Sequence, residues 1–530
     1  MLPLFIILIA STRSSQTSLD PLSYDCRLGT RAECQASSFV PGHTLLGEGI
    51  NIVTMRKTGA SLLDMQDYEK ENETCTLCNN PFNSRILQKL PKSMVDWKPQ
   101  TSCTRNIASS IAQSKISLAK TATSSVQNDW KVGLDLTYKG VKGEVALGGS
   151  HSKMAAFAES KTLTDKYSFV SHELSCAFYR FRTSHNPQLT EHFYKSLRQL
   201  PNSYDNSTKD RYRRLIYNYG THYVIQAEVG GRALEVTALR SCQLALEGLT
   251  LDQVKDCLSV ESKISAGIPV NDASISGEVR MCKEIAKQAK RGSNFHQTFN
   301  ERIWEGGSKA SKAFSQWMES LKKVPDLLSY SLEPIHELVR FSGPQKENLR
   351  LAISDYIKEK SLTMRCSCPQ HGHQSQQGDC SCICPVGKYM NSDCCPTNQG
   401  TAKVELIIQN AMGLSSEVFS KADGYVKFMY EDSVERSPTV WNNNNPTWNF
   451  RVDLGFLQLG VSKKYTIEVW DENKIFPDKL LGRCEKLLTS GSSAETCYLN
   501  HGSLKYSINV ACSIHLQGLY CQDYRPQPPK

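Results

Sequence analysis

Twenty cysteines constrain this chain more than any other feature of its sequence. They cluster, with Cys26, Cys34, Cys75 and Cys78 near the start, seven within residues 366–395, and four from Cys484 to Cys521. The stretch "CSCPQHGHQSQQGDCSCICPVGKYMNSDCC" is too small to bury a core and has to be stapled. An even, clustered set of cysteines reads as a disulfide framework made in an oxidising compartment. Zinc is the rival reading here, because the CxC pairs, His371 and His373 offer ligand types for it. Residues 2–10 form an apolar run followed by "STRSSQTS", the pattern of a secretory signal peptide over residues 1–20. That run is too short to span a bilayer, and no other uninterrupted apolar stretch approaches about 18 residues. The expectation is a secreted chain without a transmembrane helix. Sequons at Asn72 and Asn206 suit glycosylation in the same compartment.

A chain of 530 residues is too long for one core and points to about three domains. Residues 21–360 mix helical and strand patterns, and residues 361–399 hold the cysteine-dense segment. Residues 400–515 change to short alternating strands such as "KVELIIQNA" and "KYTIEVWDE", spaced as in a sandwich. Residues 516–530 form a tail that ends Pro-rich. The net charge of +9 is spread along the chain, and no dense basic block or stacking platform asks for nucleic acid.

Two segments carry a pattern that suits lipid. From residue 258, Leu258, Val260, Ile264, Ala266 and Ile268 alternate with polar residues. After Asn271 and Asp272 the parity flips, and Ala273, Ile275, Val279 and Met281 become the apolar set. Folded as a hairpin, 258 faces 281, 260 faces 279, 264 faces 275 and 266 faces 273, so one whole face is apolar. Each arm runs about 9–11 residues, the length of a tilted membrane-spanning strand. Cys257 and Cys282 obey the same register just outside, which predicts that they pair. From residue 130 the pattern recurs. Val132, Leu134, Leu136 and Tyr138 precede a turn at Lys139 and Gly140, and Val141, Val145 and Leu147 resume on the opposite parity. A longer hairpin reaching through "MAAFAESKTLTDK" is an equal alternative. The rival for both segments is an amphipathic strand of a soluble sheet. Helix-compatible stretches such as "SKMAAFAESK" also mark the region as a candidate for fold switching.

Catalysis finds little support. Thr221 and His222 are adjacent, and in a strand their side chains would point to opposite faces, which forbids a nucleophile–base pair. No GxSxG elbow, HExxH helix or phosphate-binding glycine loop occurs. An enzyme is not expected.

Tyr212, then Tyr219, Gly220, Thr221, His222 and Tyr223, resembles the signature of the membrane-attack-complex/perforin (MACPF) family, and Gly230-Gly231 looks like that family's sheet-bending hinge. The order of a MACPF region, an EGF-like segment and a C2-type sandwich resembles the family's pore-forming members. The resemblance implies an α+β multidomain fold with a bent antiparallel MACPF/CDC-like sheet and two helical clusters, which unfurl into β-hairpins of a large multi-chain barrel. Its partners would be the phospholipid membrane of a target cell and further copies of itself in a ring, after storage in cytolytic granules. "KADGYVKF", "NPTWNF", "EVWDEN" and "DKLLG" resemble C2 motifs. Carried over position by position, they imply calcium on Glu417, Asp423, Asp471, Asn473 and Asp478. Phe419, Ile475 and Phe476 lie on the same loops and would contact lipid. The usual pattern has Asp where this chain has Glu417 and Asn473, and another acid where it has Lys479, which implies weaker calcium binding or fewer ions bound.

Overall fold

The computed structural model describes residues 25–103, 107–137, 144–265, 280, 282, 296–298, 303–305, 314–369, 372–376, 380–415 and 420–528. Its centre is a pair of long antiparallel strands. In chain order the elements that frame it are β1 (Glu48–Asn51), β2 (Met94–Cys103), β3 (Ala108–Ala112), α1 (Lys115–Thr121), β4 (Glu144–Ala146), α2 (Lys153–Thr162), β5 (Tyr167–Thr183), α3 (Lys209–Tyr219) and β6 (His222–Arg240). There follow α4 (Leu251–Ser265), α5 (Phe314–Leu321), β7 (Asp326–Pro334), α6 (Gln345–Glu359) and β8 (Leu362–Met364). β5 and β6 pair from Gln226↔Arg182 to Arg240↔Tyr167. β2 and then β3 line the outer side of β5, while β1 and β7 line the first half of β6. Two short strands, His296–Thr298 and Ile303–Glu305, pair with its second half.

The glycine pair that resembles a hinge stands at an irregularity of the sheet. The register between β5 and β6 shifts between Val229 and Gly230. Neither Gly230 nor Gly231 takes a positive φ, so backbone freedom is not what selects them. A Cβ at Gly230 would collide with the Cys176 carbonyl, and one at Gly231 with Leu321 and Trp317 of α5. Space is the constraint: two neighbours come too close for any side chain.

The helices occupy the two gaps between sheet strands. α1, β4 and α2 lie between the end of β3 and the start of β5, and α4 lies beyond β6. Ser114 and Ser152 cap α1 and α2, each accepting a backbone N–H of the first turn. Ala158 and Met154 of α2 pack with Leu118 of α1 on Phe169, Val236 and Ala238 of the sheet. α4 lays Leu251 and Val254 on Val170 and Leu239, with Leu258 beside them. That spacing of three and four is helical, and Leu258 belongs both to it and to the strand-period set.

All the cysteines are in disulfides, which overturns the zinc reading of the CxC pairs. Cys366–Cys380, Cys368–Cys382 and Cys384–Cys394 staple the small segment, and Cys395 reaches back to Cys242 behind β6. Cys257 and Cys282 are paired with each other, as their register predicted.

The second large core is an all-β sandwich. One sheet has the order β12 (Thr447–Gln458), β9 (Thr401–Met412), β16 (Ser503–Cys512), β15 (Gly491–Tyr498). The other has the order β11 (Ser433–Arg436), β10 (Gly424–Tyr430), β13 (Lys464–Asp471), β14 (Lys479–Leu487). Val404, Leu406 and Ile408 from one sheet and Val426, Phe428, Ile467 and Val469 from the other fill the core on alternate residues.

The chain's last turn ties this sandwich to the bent sheet through one buried carboxylate. Asp165, fully buried, accepts Tyr524 Oη–H at 2.7 Å and the backbone N–H groups of Gln527 at 3.0 Å and Lys166 at 2.8 Å. His515 Nδ1 stands 3.3 Å away and Arg240 Nε 3.8 Å. An Asp165→Asn substitution turns an N–H₂ toward these donors and costs roughly 2–4 kcal/mol. The expected outcome is a lower melting temperature and earlier cleavage after residue 515 in limited proteolysis, with the sandwich otherwise intact.

Candidate functional site

Helix α3 delivers the signature to the sheet. Tyr212, Leu215 and Ile216 bury one face, Tyr217 stays 83% exposed, and Tyr212 Oη–H donates to the Pro201 carbonyl at 2.6 Å. Gly220 ends the helix at φ +82°, where a side chain would meet the Ile50 backbone. Strand β6 therefore starts at His222, and Thr221 still belongs to the corner. Strand alternation does not apply there, which corrects the expectation that the two side chains part. Thr221 Oγ1 and His222 Nδ1 are 2.8 Å apart. Both residues are fully buried, and His222 Nε2 stands 3.0 Å from the Trp130 carbonyl oxygen. Tyr223 Oη–H donates to Glu333 on β7 at 2.6 Å.

Among the described residues the first candidate segment forms no hairpin. Residues 130–134 form turns, with Val132 69% exposed, while Leu134, Leu136 and Leu147 pack on the main core. Val145 pairs with Thr363 of β8 instead of with residues 132–137. Tyr138 and Val141 lie outside the described residues. In the second segment Leu258 and Val260 stand in α4, as does the backbone of Ile264. Ala266, Ile268, Ala273, Ile275, Val279 and Met281 lie outside the described residues. Among the described residues no helix is long and apolar enough to cross a membrane, which leaves strands as the question.

At one end of the sandwich, residues 420–423, 437–446 and 472–478 come together. Asp471 Oδ1 accepts the Asp423 N–H at 2.6 Å, and Asp423 Oδ1 accepts the Asn442 N–H at 2.6 Å. Asp478 accepts the Asn473 N–H at 3.0 Å and Tyr425 Oη–H at 2.8 Å, and these bonds, the first above all, hold its carboxyl below the usual Asp value. Glu417 and Phe419 lie outside the described residues. Among the described residues no three Asp, Glu, His or Cys side chains converge on one point. The donor set is carboxylate and amide oxygen, hard ligands of the kind calcium takes. Ile475 and Phe476 are 87% and 73% exposed at the loop tip. Trp441, half exposed on the middle loop with Lys474 Nζ 5.1 Å from its ring, belongs with them and escaped the sequence reading. The signal was there: a tryptophan at the head of the Asn-rich run "WNNNNP". Both sequons, at Asn72 and Asn206, are on the surface.

A bent sheet with a Tyr-Gly-Thr-His corner, followed by a stapled segment and a sandwich with acidic loops, defines a MACPF fold joined to a C2 domain. A family model described as MAC/Perforin domain matches residues 39–365, and one described as C2 domain matches residues 402–500. The chain belongs to the MAC/Perforin family. It is 40% identical over 521 residues to perforin-1 of Homo sapiens, covering 95% of this chain and 93% of that protein. It is 38% identical to perforin-1 of Rattus norvegicus, covering 96% and 94%. Complement component C8 beta chain of Paralichthys olivaceus is 29% identical over 249 residues, 43% of this chain and 42% of that protein.

Two buried imidazoles give the bent sheet a pH dependence. Burial drives His222 down to about 4, against the bond to the Trp130 carbonyl. Burial and then Lys255 of α4 drive His172 on β5 to about 4 as well. Both stay neutral in the fold while the unfolded chain takes up protons below pH 6.5. The stability they contribute is complete above 6.5 and lost as pH falls toward 4, by at most roughly 3 kcal/mol for each. A melting series from pH 7.5 to 4 shows a falling midpoint over that window, and His172→Gln flattens it.

Proposed function

We infer that this chain is a secreted cytolytic protein that perforates membranes and performs no catalysis. Its C2 loops dock on phospholipid with calcium, copies join in a ring, and the segments between β3 and β5 and beyond β6 convert from folded cluster to paired strands of a barrel. One observation carries the reading: α4 and the α1–β4–α2 cluster are each spliced between strands of one sheet, so straightening them prolongs strands that already exist. Leu258, Val260 and Val145 then join the apolar face that their parity defines. Lipid admits such strands only when every backbone group finds a partner, which a closed ring of copies supplies. Edge strand β7 is capped in the single chain, where Asn128 bonds both the N–H and the C=O of Leu332 at 2.8 Å. A neighbouring copy needs that edge.

Calcium would be held by Asp423, Asp471, Asp478, Asn473 and Glu417, offsetting their charge beside anionic headgroups while Ile475, Phe476 and Phe419 enter the interface. The producing cell would keep the protein in acidic granules, where carboxylates lose the ionised form that calcium requires. A second reading, a membrane-binding protein that does not lyse, draws on the reduced charge at Asn473.

Liposomes with trapped dye separate the two. Dye release and rings in electron micrographs are expected with calcium, and neither with chelator. Calcium-dependent binding without release would sink the lytic reading. Within the same assay, Asn473→Asp lowers the half-maximal calcium concentration several-fold, and Asp423→Asn with Asp471→Asn raises it at least about tenfold.

A further inference from the structure

The signature's polar pair has a tautomer that its surroundings fix. A backbone carbonyl only accepts, so His222 Nε2 carries the hydrogen toward Trp130 O at 3.0 Å. In the neutral ring Nδ1 then accepts, and Thr221 Oγ1–H donates to it at 2.8 Å, the Ile50 carbonyl oxygen being the hydroxyl's second and longer acceptor at 3.2 Å. Thr221 Oγ1 in turn accepts the Ile52 N–H at 3.0 Å. The result is one buried chain of bonds, from the Ile52 amide through Thr221 and His222 to the Trp130 carbonyl.

Ile52 is also where the far end of the first segment is fastened. Its carbonyl accepts the Gly149 N–H at 2.8 Å, and the Val53 carbonyl accepts the His151 N–H at 2.9 Å. Trp130 is wedged between the His222 ring, centroids 5.6 Å apart and edge-on, and Gly148, where a Cβ would come within 2.9 Å of the indole. Residues 130 and 149 both lie in the middle of the stretch between β3 and β5. Neither can join a lengthened strand without leaving this anchor.

We propose that Thr221 and His222 are a clasp that holds Trp130 and the Gly148–Gly149 end of the first segment on the edge of the sheet in the soluble chain, and that opening it limits the rate at which that segment inserts. The second half rests on the pore-forming reading; the first half does not. Thr221 and His222 are positioning residues, acting through Ile52 and Trp130 and touching no lipid themselves.

Thr221→Val removes the relay and keeps the shape, and Thr221→Ser keeps both. In calcium-free solution, hydrogen exchange at the Gly149 and His151 amides rises about tenfold in Thr221→Val and stays at the unaltered rate in Thr221→Ser. Unchanged exchange in Thr221→Val overturns the clasp whether or not the chain lyses anything. On dye-loaded liposomes with calcium, at equal bound protein, Thr221→Val shortens the lag before release several-fold and Thr221→Ser restores it. A lag equal to or longer than that of the unaltered chain overturns the rate-limiting role, whereas an unaltered chain that releases nothing overturns the lytic reading. Gly148→Ala, which pushes on Trp130 from the opposite side, is the second variant should Thr221→Val not fold, with the same expected results.

Discussion

The pairing of β5 with β6 is the interaction on which the rest of the bent-sheet domain depends. It runs unbroken in direction from the Gln226 end to the Arg240 end, with a single shift of register beside Gly230. Both faces of these strands are largely covered, so most residues of β5 are buried, the polar Ser168, Ser171 and His172 among them. Everything mobile in the proposed mechanism attaches to the ends of this pair, and everything that must stay rigid is packed on its middle. Local stability in a protein is unequal in this way when function requires one part to open and another to hold.

The two folded clusters are stable without being deep. α2 buries alanines and one methionine, and α4 buries a stripe of aliphatic side chains on Val170 and Leu239. Small residues pack closely but bring little apolar area, so the difference in free energy between folded cluster and extended strand is modest at about 25 cal/mol per Å² of area removed from water. A switch between two packings needs such a small difference. Around the clusters, tighter fastenings compensate: the β4–β8 pairing, the Asn128 bonds to β7 and the corner at Thr221.

Much of this was legible in the sequence, and the failures are instructive. The parity of residues 258–281 pointed to Cys257 and Cys282 as partners, because register is a property of the chain alone. The Tyr-Gly-Thr-His motif located the corner but not its geometry: strand alternation was assumed one residue too early, and the hydrogen bond between Thr221 and His222 was lost with it. Gly230 and Gly231 were read as a hinge from resemblance alone, and the reason they are glycine, the lack of room for a Cβ, is set by Cys176, Leu321 and Trp317, far away in sequence. Trp441 was missed for a similar reason. Its loop joins Ile475 and Phe476 only once the sandwich brings their loops together.

The disulfide between Cys257 and Cys282 fixes how far the second segment can travel. It leaves 24 residues between its ends, from a sequence separation of 25. Whatever shape those residues take, the two ends stay together, so the segment behaves as a closed loop whose reach is half its contour. Twelve residues at about 3.3 Å each give roughly 40 Å. The hydrocarbon layer is about 30 Å thick, and a tilted strand uses much of the difference. On the pore-forming proposal the covalent link would be a ruler, long enough for this segment to cross one membrane with little chain left over.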